Sequence, residues 1–298
     1  MLTIVVGDEL AGKLAHNLNF PFVSVEERIL NDGESRPKLE KEIKAEQVIL
    51  LLQKQQKENV NSYLIKYLLL ARKIKESGAR IIGIMPYLPY TRQDKVFRPG
   101  EPLSALYIAE LIEKNIDVFI TCNMHEHRKK IGELFHIPAY NVFLFHEMAE
   151  RFSDFSPSNT VVVGPDSESA AFVDDFCLSF SAQKLVLIKK RDVNSGVVSF
   201  ALPPDLKKED CSGKDFIIVD DIVSSGETIL QTGEIVQELG AQTVSFAFAH
   251  AIFGDQSIKA LEKVHPRKIV CSDTLENSLA SVHISSSLAV FLQEYKLI

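Results

Sequence analysis

The sequence predicts an α/β protein of two similar domains, each a mainly parallel sheet flanked by helices. Three observations lead there. Short apolar runs alternate along the chain with longer segments of helical period. Most of those runs are rich in Val, Ile and Leu without strict alternation, the pattern of strands covered on both faces. The chain has 298 residues, enough for two domains of about 150.

The expected strands are Leu2–Val6, Gln47–Gln53, Arg80–Met85, Asp117–Thr121, Thr160–Gly164, Leu185–Ile188, Asp215–Asp221, Thr243–Ala249 and Lys268–Ser272. Between them lie expected helices. Asn61–Ser77 is followed by Gly78, which suits a helix C-terminus. The others are Leu103–Lys114, Ser167–Phe180, Glu227–Leu239 (followed by Gly240) and Ser257–Val264. Strand–helix–strand alternation implies parallel pairing. One α/β series precedes about residue 145 and another follows it. The domains are therefore read as 1–145 and 146–284, with 285–298 a C-terminal helix free to pack on either half.

Composition narrows the function. The net charge is −7, which argues against nonspecific nucleic-acid binding but leaves room for a locally positive anion site. Cys122, Cys177, Cys211 and Cys271 are far apart, without zinc spacing or a disulfide framework, as expected in a reducing cytoplasm. The N-terminus MLTIVVGDELAG has no basic segment or cleavage site of a secretory signal. No apolar run approaches the ~18 residues of a membrane span.

The stretch DFIIVDDIVSSGET, residues 215–228, carries the most chemistry. An apolar strand meets Asp220 and Asp221 and then a loop of small residues leading into a helix. Ligands of open parallel sheets collect at the carboxyl ends of strands. Two carboxylates there need hydroxyls, a metal or backbone donors. Ser224, Ser225, Gly226 and Thr228 offer hydroxyls beside the N–H groups of a helix N-terminus, which suit a phosphate. Hydroxyl acceptors beside a phosphate cradle fit a sugar phosphate. The plainer alternative is that Asp221 or Ser224 only caps the helix.

Residues 86–105, PYLPYTRQDKVFRPGEPLSA, leave the sheet abruptly and gather Arg92, Lys95 and Arg98 around Gln93 and Asp94. The run is either a solvated charged loop or, since it follows a strand end, a set of phosphate contacts.

DFIIVDDIVSSGET resembles the phosphoribosyl diphosphate (PRPP) loop of the type I phosphoribosyltransferase fold. PYLPYTRQDK is similar to a signature of the ribose-phosphate pyrophosphokinases, and VFRPGEPLS to their archaeal-type branch. Further matches follow the family order. LNDGE (Leu30–Glu34) resembles its F-x-D-G-E loop, with Leu30 where Phe is usual. TCNMHEHRKKIGELF (Thr121–Phe135) resembles the segment with a His after a strand, matched by His125. VVVGPDSE (Val161–Glu168) resembles the P-D turn. LIKKRDVNSG (Leu187–Gly196) resembles the K-x-R opening of the catalytic loop, with Lys190 an alternative to Lys189 if the register slips by one. Taken alone, His125 reads more readily as a structural hydrogen-bonding group, and the K-x-R run as a basic hairpin ending in a turn at Asn194-Ser195-Gly196.

The resemblance implies a reaction of ATP with ribose 5-phosphate giving PRPP and AMP, with Mg²⁺ as cofactor. It implies ATP contacts from Asp32, Glu34, Arg92, Gln93 and His125. Ribose 5-phosphate falls to Asp166, Asp220, Asp221, Ser224, Ser225, Gly226 and Thr228. Lys189, Arg191 and His125 become the catalytic set, and His125 and Asp166 the metal-linked pair. The family's ATP site is shared between subunits, which implies at least a homodimer. Glu227 stands where Gly is frequent, so its carboxylate must point away from the phosphate. Two other readings remain at this level: a phosphoribosyltransferase on the same fold, and a non-catalytic regulatory partner of a synthetase.

Overall fold

The computed structural model describes residues 1–126, 128–191, 198–201, 209, 211–224 and 226–298. The chain forms two compact units. One is Met1–Val142 with Thr274–Glu276 and His283–Ile298; the other is Phe143–Asp273 with Asn277–Val282.

The first unit runs β1 (Thr3–Gly7), α1 (Glu9–Leu18), β2 (Phe22–Ile29), β3 (Ser35–Leu39), β4 (Gln47–Leu51), α2 (Val60–Lys75), β5 (Arg80–Ile84), α3 (Ser104–Glu113), β6 (Val118–Cys122), α4 (Ile131–Leu134) and β7 (Ala139–Val142). Its sheet has the order β3-β2-β1-β4-β5-β6-β7. Every pair is parallel except the β2–β3 hairpin. Strands β1, β4 and β6 are buried at every position, as their unbroken apolar runs require.

The second unit runs α5 (Phe145–Glu150), β8 (Thr160–Gly164), α6 (Ala170–Ser179), β9 (Gln183–Val186), β10 (Ile188–Arg191), β11 (Val198–Ala201), β12 (Asp215–Val223), α7 (Glu227–Glu238), β13 (Thr243–Ala251), α8 (Asp255–Val264), β14 (Lys268–Ser272) and β15 (Ala280–Val282). Its main sheet has the order β15-β14-β13-β12-β8-β9 and is parallel throughout; β10 and β11 form a separate antiparallel hairpin.

Helix α9 (Ile284–Glu294) closes the chain within the first unit. It packs on α1, where the Asn17 amide donates to Ser285 Oγ at 3.3 Å. Phe291 and Tyr295 set their rings against Tyr140 at centroid distances of 5.5 and 5.3 Å. The Leu297 carbonyl accepts from Gln47 at 3.2 Å.

Several expected boundaries need correction. The run Leu185–Ile188 is two strands: β9 ends at Val186, and Leu187 donates its N–H to the Gly164 carbonyl at 2.9 Å before β10 begins. Helix α6 starts only at Ala170, after a 3₁₀ turn over Ser167–Ser169. Strand β12 does not stop at Asp221; it pairs with β13 through Val223. Strands β2, β3, β7, β11 and β15 and helices α1, α4 and α5 were not among the expected elements. β2 (FVSVEERI) buries only Val23, so its polar residues hide it from a search for apolar runs.

Candidate active site

In each sheet, successive connections reverse direction beside one central strand. The reversal falls between β1 and β4 in the first unit and between β8 and β12 in the second. Crevices at such points, outside the carboxyl ends of the strands, are where ligands of open α/β sheets bind.

The β8–β12 crevice gathers the expected sugar-phosphate residues. β8 pairs with β12 only as far as Ile218, so Asp220 and Asp221 project past the end of β8. Asp221 is buried and Asp220 half-buried, and Asp220 Oδ1 accepts the Asp221 N–H at 3.0 Å. Across the crevice, β8 ends at Gly164, and Asp166 begins the turn that follows. Asp166 Oδ1 accepts the Glu168 N–H at 3.0 Å, and Ser169 Oγ donates to the Asp166 carbonyl at 2.6 Å. This turn needs a glycine before it: a Cβ on Gly164 would lie 2.3 Å from Ser169 Oγ.

Helix α7 opens on the same crevice. The residue at its N-cap is Gly226, with φ +82°, and not Asp221 or Ser224. A glycine cap brings no side-chain acceptor to the first-turn N–H groups, which suits a phosphate there. Ser224 is exposed and Thr228 half-buried at this mouth. Glu227 is the first helical residue, and its side chain is exposed. Ser225, residues 192–197 with the Asn194-Ser195-Gly196 turn, and His127 lie outside the described residues. The side chains of Lys189, Lys190 and Arg191 also lie outside them; their backbone forms β10 of the β10–β11 hairpin.

In the first unit the expected ATP residues do not lie at the β1–β4 crevice. That space is closed by Asp8, which accepts N–H groups from Leu10 at 3.1 Å, Ala11 at 3.4 Å and Gln53 at 2.5 Å. Burial pushes its carboxyl up to about 6, against the pull of those hydrogen bonds. Arg92 and Gln93 instead follow β5, and His125 follows the neighbouring strand β6.

The loop after β5 is held tightly where it matters. Tyr90 has φ +69°, uncommon for a bulky side chain, and its carbonyl accepts the Gln93 N–H at 2.9 Å. Gln93 Oε1 accepts from Ser104 Oγ at 2.6 Å at the start of α3. That bond fixes the Gln93 side chain through its oxygen. Gln93 lines a cleft of about 360 Å³ with Arg92, Tyr90 and Asn61. It also lines one of about 460 Å³ with Lys95, Phe97 and Arg98. After β6, Asn123 takes φ +37°, and Met124 exchanges hydrogen bonds with the Asn141 amide at 2.8 and 3.4 Å. His125 leaves this clamp half-buried. Sequence reasoning gave no role to Ser104, the last residue of VFRPGEPLS, and missed Asn141, which carries no motif of its own.

Asp32 and Glu34 stand at the exposed tip of the β2–β3 hairpin. Asp32 Oδ1 accepts the Glu34 N–H at 3.2 Å, and Gly33 turns the chain with φ +92°. Among the described residues, no three His, Cys, Asp or Glu side chains gather as a preassembled metal site, none of the four cysteines is in a disulfide, and no helix is long and apolar enough to cross a membrane.

Two parallel α/β units, one with paired carboxylates and a helix N-terminus at its switch point, define a protein built on the phosphoribosyltransferase fold. Residues 133–285 match the phosphoribosyl transferase domain, and residues 1–115 match the N-terminal domain of ribose phosphate pyrophosphokinase. The chain belongs to the ribose-phosphate pyrophosphokinase family, and it is an enzyme of that activity. It is 29% identical to the ribose-phosphate pyrophosphokinase of Methanopyrus kandleri over 95% of this chain and 94% of that protein. It is 27% identical to that of Saccharolobus solfataricus over 96% of each. The crystal structure of phosphoribosylpyrophosphate synthetase from Mycobacterium smegmatis shares the fold, with a TM-score of 0.84 at 22% identity over 100% of this chain and 99% of that one.

Proposed function

We propose that the chain transfers the β,γ-pyrophosphoryl group of Mg-ATP to the 1-hydroxyl of ribose 5-phosphate, giving PRPP and AMP, with the following division of labour. The observation that supports it most is the β8–β12 crevice, where Asp166, Asp220 and Asp221 meet the glycine-capped N-terminus of α7. Asp220 and Asp221 accept hydrogen bonds from the ribose hydroxyls. Ser224, Ser225, Gly226 and Thr228 hold the 5′-phosphate by hydroxyls and N–H groups. Arg92, Gln93 and His125 hold ATP, with Asp32 and Glu34 reaching its base.

The 1-hydroxyl oxygen bonds to the β-phosphorus while the bond from that phosphorus to the α,β-bridging oxygen breaks. AMP leaves with the electron pair, and the hydroxyl proton passes to solvent. Such chemistry is mainly positioning and charge stabilisation. Lys189 and Arg191 neutralise the developing charge, each contributing about 3–4 kcal/mol of barrier lowering.

Asp166 offers a half-buried carboxylate oxygen, the donor type that a hard divalent ion takes along with substrate phosphates and water. Bound there, Mg²⁺ would supply charge neutralisation. His125, a nitrogen donor, would act on such an ion through a phosphate or a water. We assign Asp32 and Glu34, exposed at the β2–β3 tip, to a nucleotide site completed by a second copy, hence a homodimer or larger. We assign the reaction to the cytoplasm.

The test is ³¹P NMR of the purified protein with Mg-ATP and ribose 5-phosphate. PRPP and AMP signals should grow without ADP, and chelation of Mg²⁺ should stop them. ADP would mean ordinary single-phosphoryl transfer and would overturn the reading. Silence from folded protein would make the chain a non-catalytic partner.

A further inference from the structure

Asp94 is an exception within its own loop. Arg92, Gln93 and every residue from Lys95 to Glu101 are exposed, whereas Asp94 is only 4% exposed. A buried carboxylate is costly unless it is paired and hydrogen-bonded. Its partner comes from the next strand's loop. Asp94 Oδ2 accepts the backbone N–H of Arg128 at 3.1 Å, and Oδ1 accepts from the Arg128 guanidinium at 3.2 Å. The guanidinium also lies 5.8 Å from the ring centroid of Phe97, so Arg128 meets the loop after β5 in two places. Arg128 stands three residues beyond His125.

The two loops are also tied at their base. At their roots, the Cys122 N–H and Thr121 Oγ1 both donate to the Pro86 carbonyl, at 3.1 and 3.4 Å. Those bonds fix where the loops leave the sheet. The Asp94–Arg128 pair fixes them further out, beside Gln93 on one side and His125 on the other.

We infer that Asp94 and Arg128 are a positioning pair that latches the loop carrying Arg92 and Gln93 to the loop carrying His125, setting the spacing of the groups that receive ATP. The inference rests on the reading of those three residues as the ATP site. The pair acts by geometry: one carboxylate oxygen takes the Arg128 guanidinium and the other its backbone N–H, which holds direction as well as distance. A small misplacement of phosphate-binding groups is enough to slow transfer.

The experiment measures KM for Mg-ATP, kcat, the dissociation constant of ribose 5-phosphate and the melting temperature. The variants are Asp94→Asn, Arg128→Met, Arg128→Lys and the double variant Asp94→Asn/Arg128→Met. Each of the first two should raise KM for ATP about tenfold, a typical coupling for residues in contact. Ribose 5-phosphate affinity should not move. Arg128→Lys should recover much of the loss. The double variant should be no worse than the poorer single one, because removing both partners leaves no unpaired buried charge.

An unchanged KM in both single variants overturns the latch. So does a loss in Arg128→Met with none in Asp94→Asn, which would make Arg128 a direct phosphate contact. Equal losses for both substrates with a lowered melting temperature would reduce the pair to fold support and overturn it too. Arg92→Ala serves as the control: if it leaves KM for ATP unchanged, the ATP site itself is misassigned and the inference falls with it.

Discussion

Asp8 and Asp166 occupy equivalent places after two strands of nearly the same sequence, TIVVG over Thr3–Gly7 and TVVVG over Thr160–Gly164. Each strand lies beside the point where its sheet reverses, and each Asp accepts the N–H of the residue two positions on. Their surroundings differ. Asp8 is drawn across to the end of β4 and accepts the Gln53 N–H at 2.5 Å, closing its crevice from within. Asp166 stays half-buried opposite Asp220 and Asp221. One crevice is thus closed by the protein's own hydrogen bonds, and the other brings three carboxylates together.

This contrast predicts opposite consequences for the same substitution. Asp8→Ala should lower stability by about 2 kcal/mol or more, since it removes a cap and leaves a buried N–H without an acceptor. Turnover of the protein that remains folded should change little. Asp166→Ala should lose less than about 1 kcal/mol of stability, as a partly solvated cap does, yet reduce turnover at least tenfold. Urea midpoints and steady-state rates on both variants decide it. Equal stability losses with equal activity would make Asp166 only a cap.

For the sugar-phosphate crevice, Asp221→Ala should mainly weaken ribose 5-phosphate binding, measured by calorimetry without ATP. Gly226→Ala should weaken it as well. An L-residue at φ +82° is strained by about 1–2 kcal/mol, and relaxing it moves the first turn of α7 away from the phosphate. Unchanged affinity in both would remove the crevice as the binding site.

Lys189→Ala should lower kcat by two orders of magnitude or more and leave ribose 5-phosphate affinity nearly intact, because a charge that acts on the transferring group is felt in the transition state. The readout is kcat beside a direct binding measurement. An undiminished rate would move the role to Lys190 or end it.

Which parts of this architecture were legible beforehand follows from physics. Strands β1, β4, β6, β8 and β12 announced themselves because both faces are covered and the chain there is continuously apolar. Strand β3, SRPKL, has no buried residue and carries a proline, so nothing in its composition marks a strand. Helix α1 was readable from Leu10, Leu14 and Leu18 at helical spacing behind the Asp8 cap, a signal obscured by its short length. Asp220, Asp221, Arg92 and His125 stood out as charge or imidazole at strand ends. Asp94 did not: as a polar spacer it looked solvated, and its partner Arg128 lies 34 positions away, joined only by the β5–β6 pairing. Tyr90 gave no sign of its positive φ, since Tyr has no preference for it.

Away from the crevice, stability should depend on pH through His146. Asp175 on α6 caps α5: its Oδ2 accepts the N–H groups of Phe145 at 2.8 Å and His146 at 3.1 Å, while Oδ1 faces His146 Nδ1 at 3.1 Å. That hydrogen bond raises the His146 pKa above its ordinary 6.5; burial opposes the shift, and the charges of Asp175, Glu147 and Glu150 add to it. A histidine raised on folding contributes stability that is fully present below about 6.5 and is lost as pH climbs through the higher folded value. The imidazole is partly solvated, so the contribution is at most about 1 kcal/mol. Urea midpoints of the wild type should therefore fall relative to those of His146→Gln as pH rises from about 6 to 8.5. A constant difference across that range would mean that His146 carries the same charge state in both folded and unfolded chains, and that Asp175 serves α5 only through its two backbone bonds.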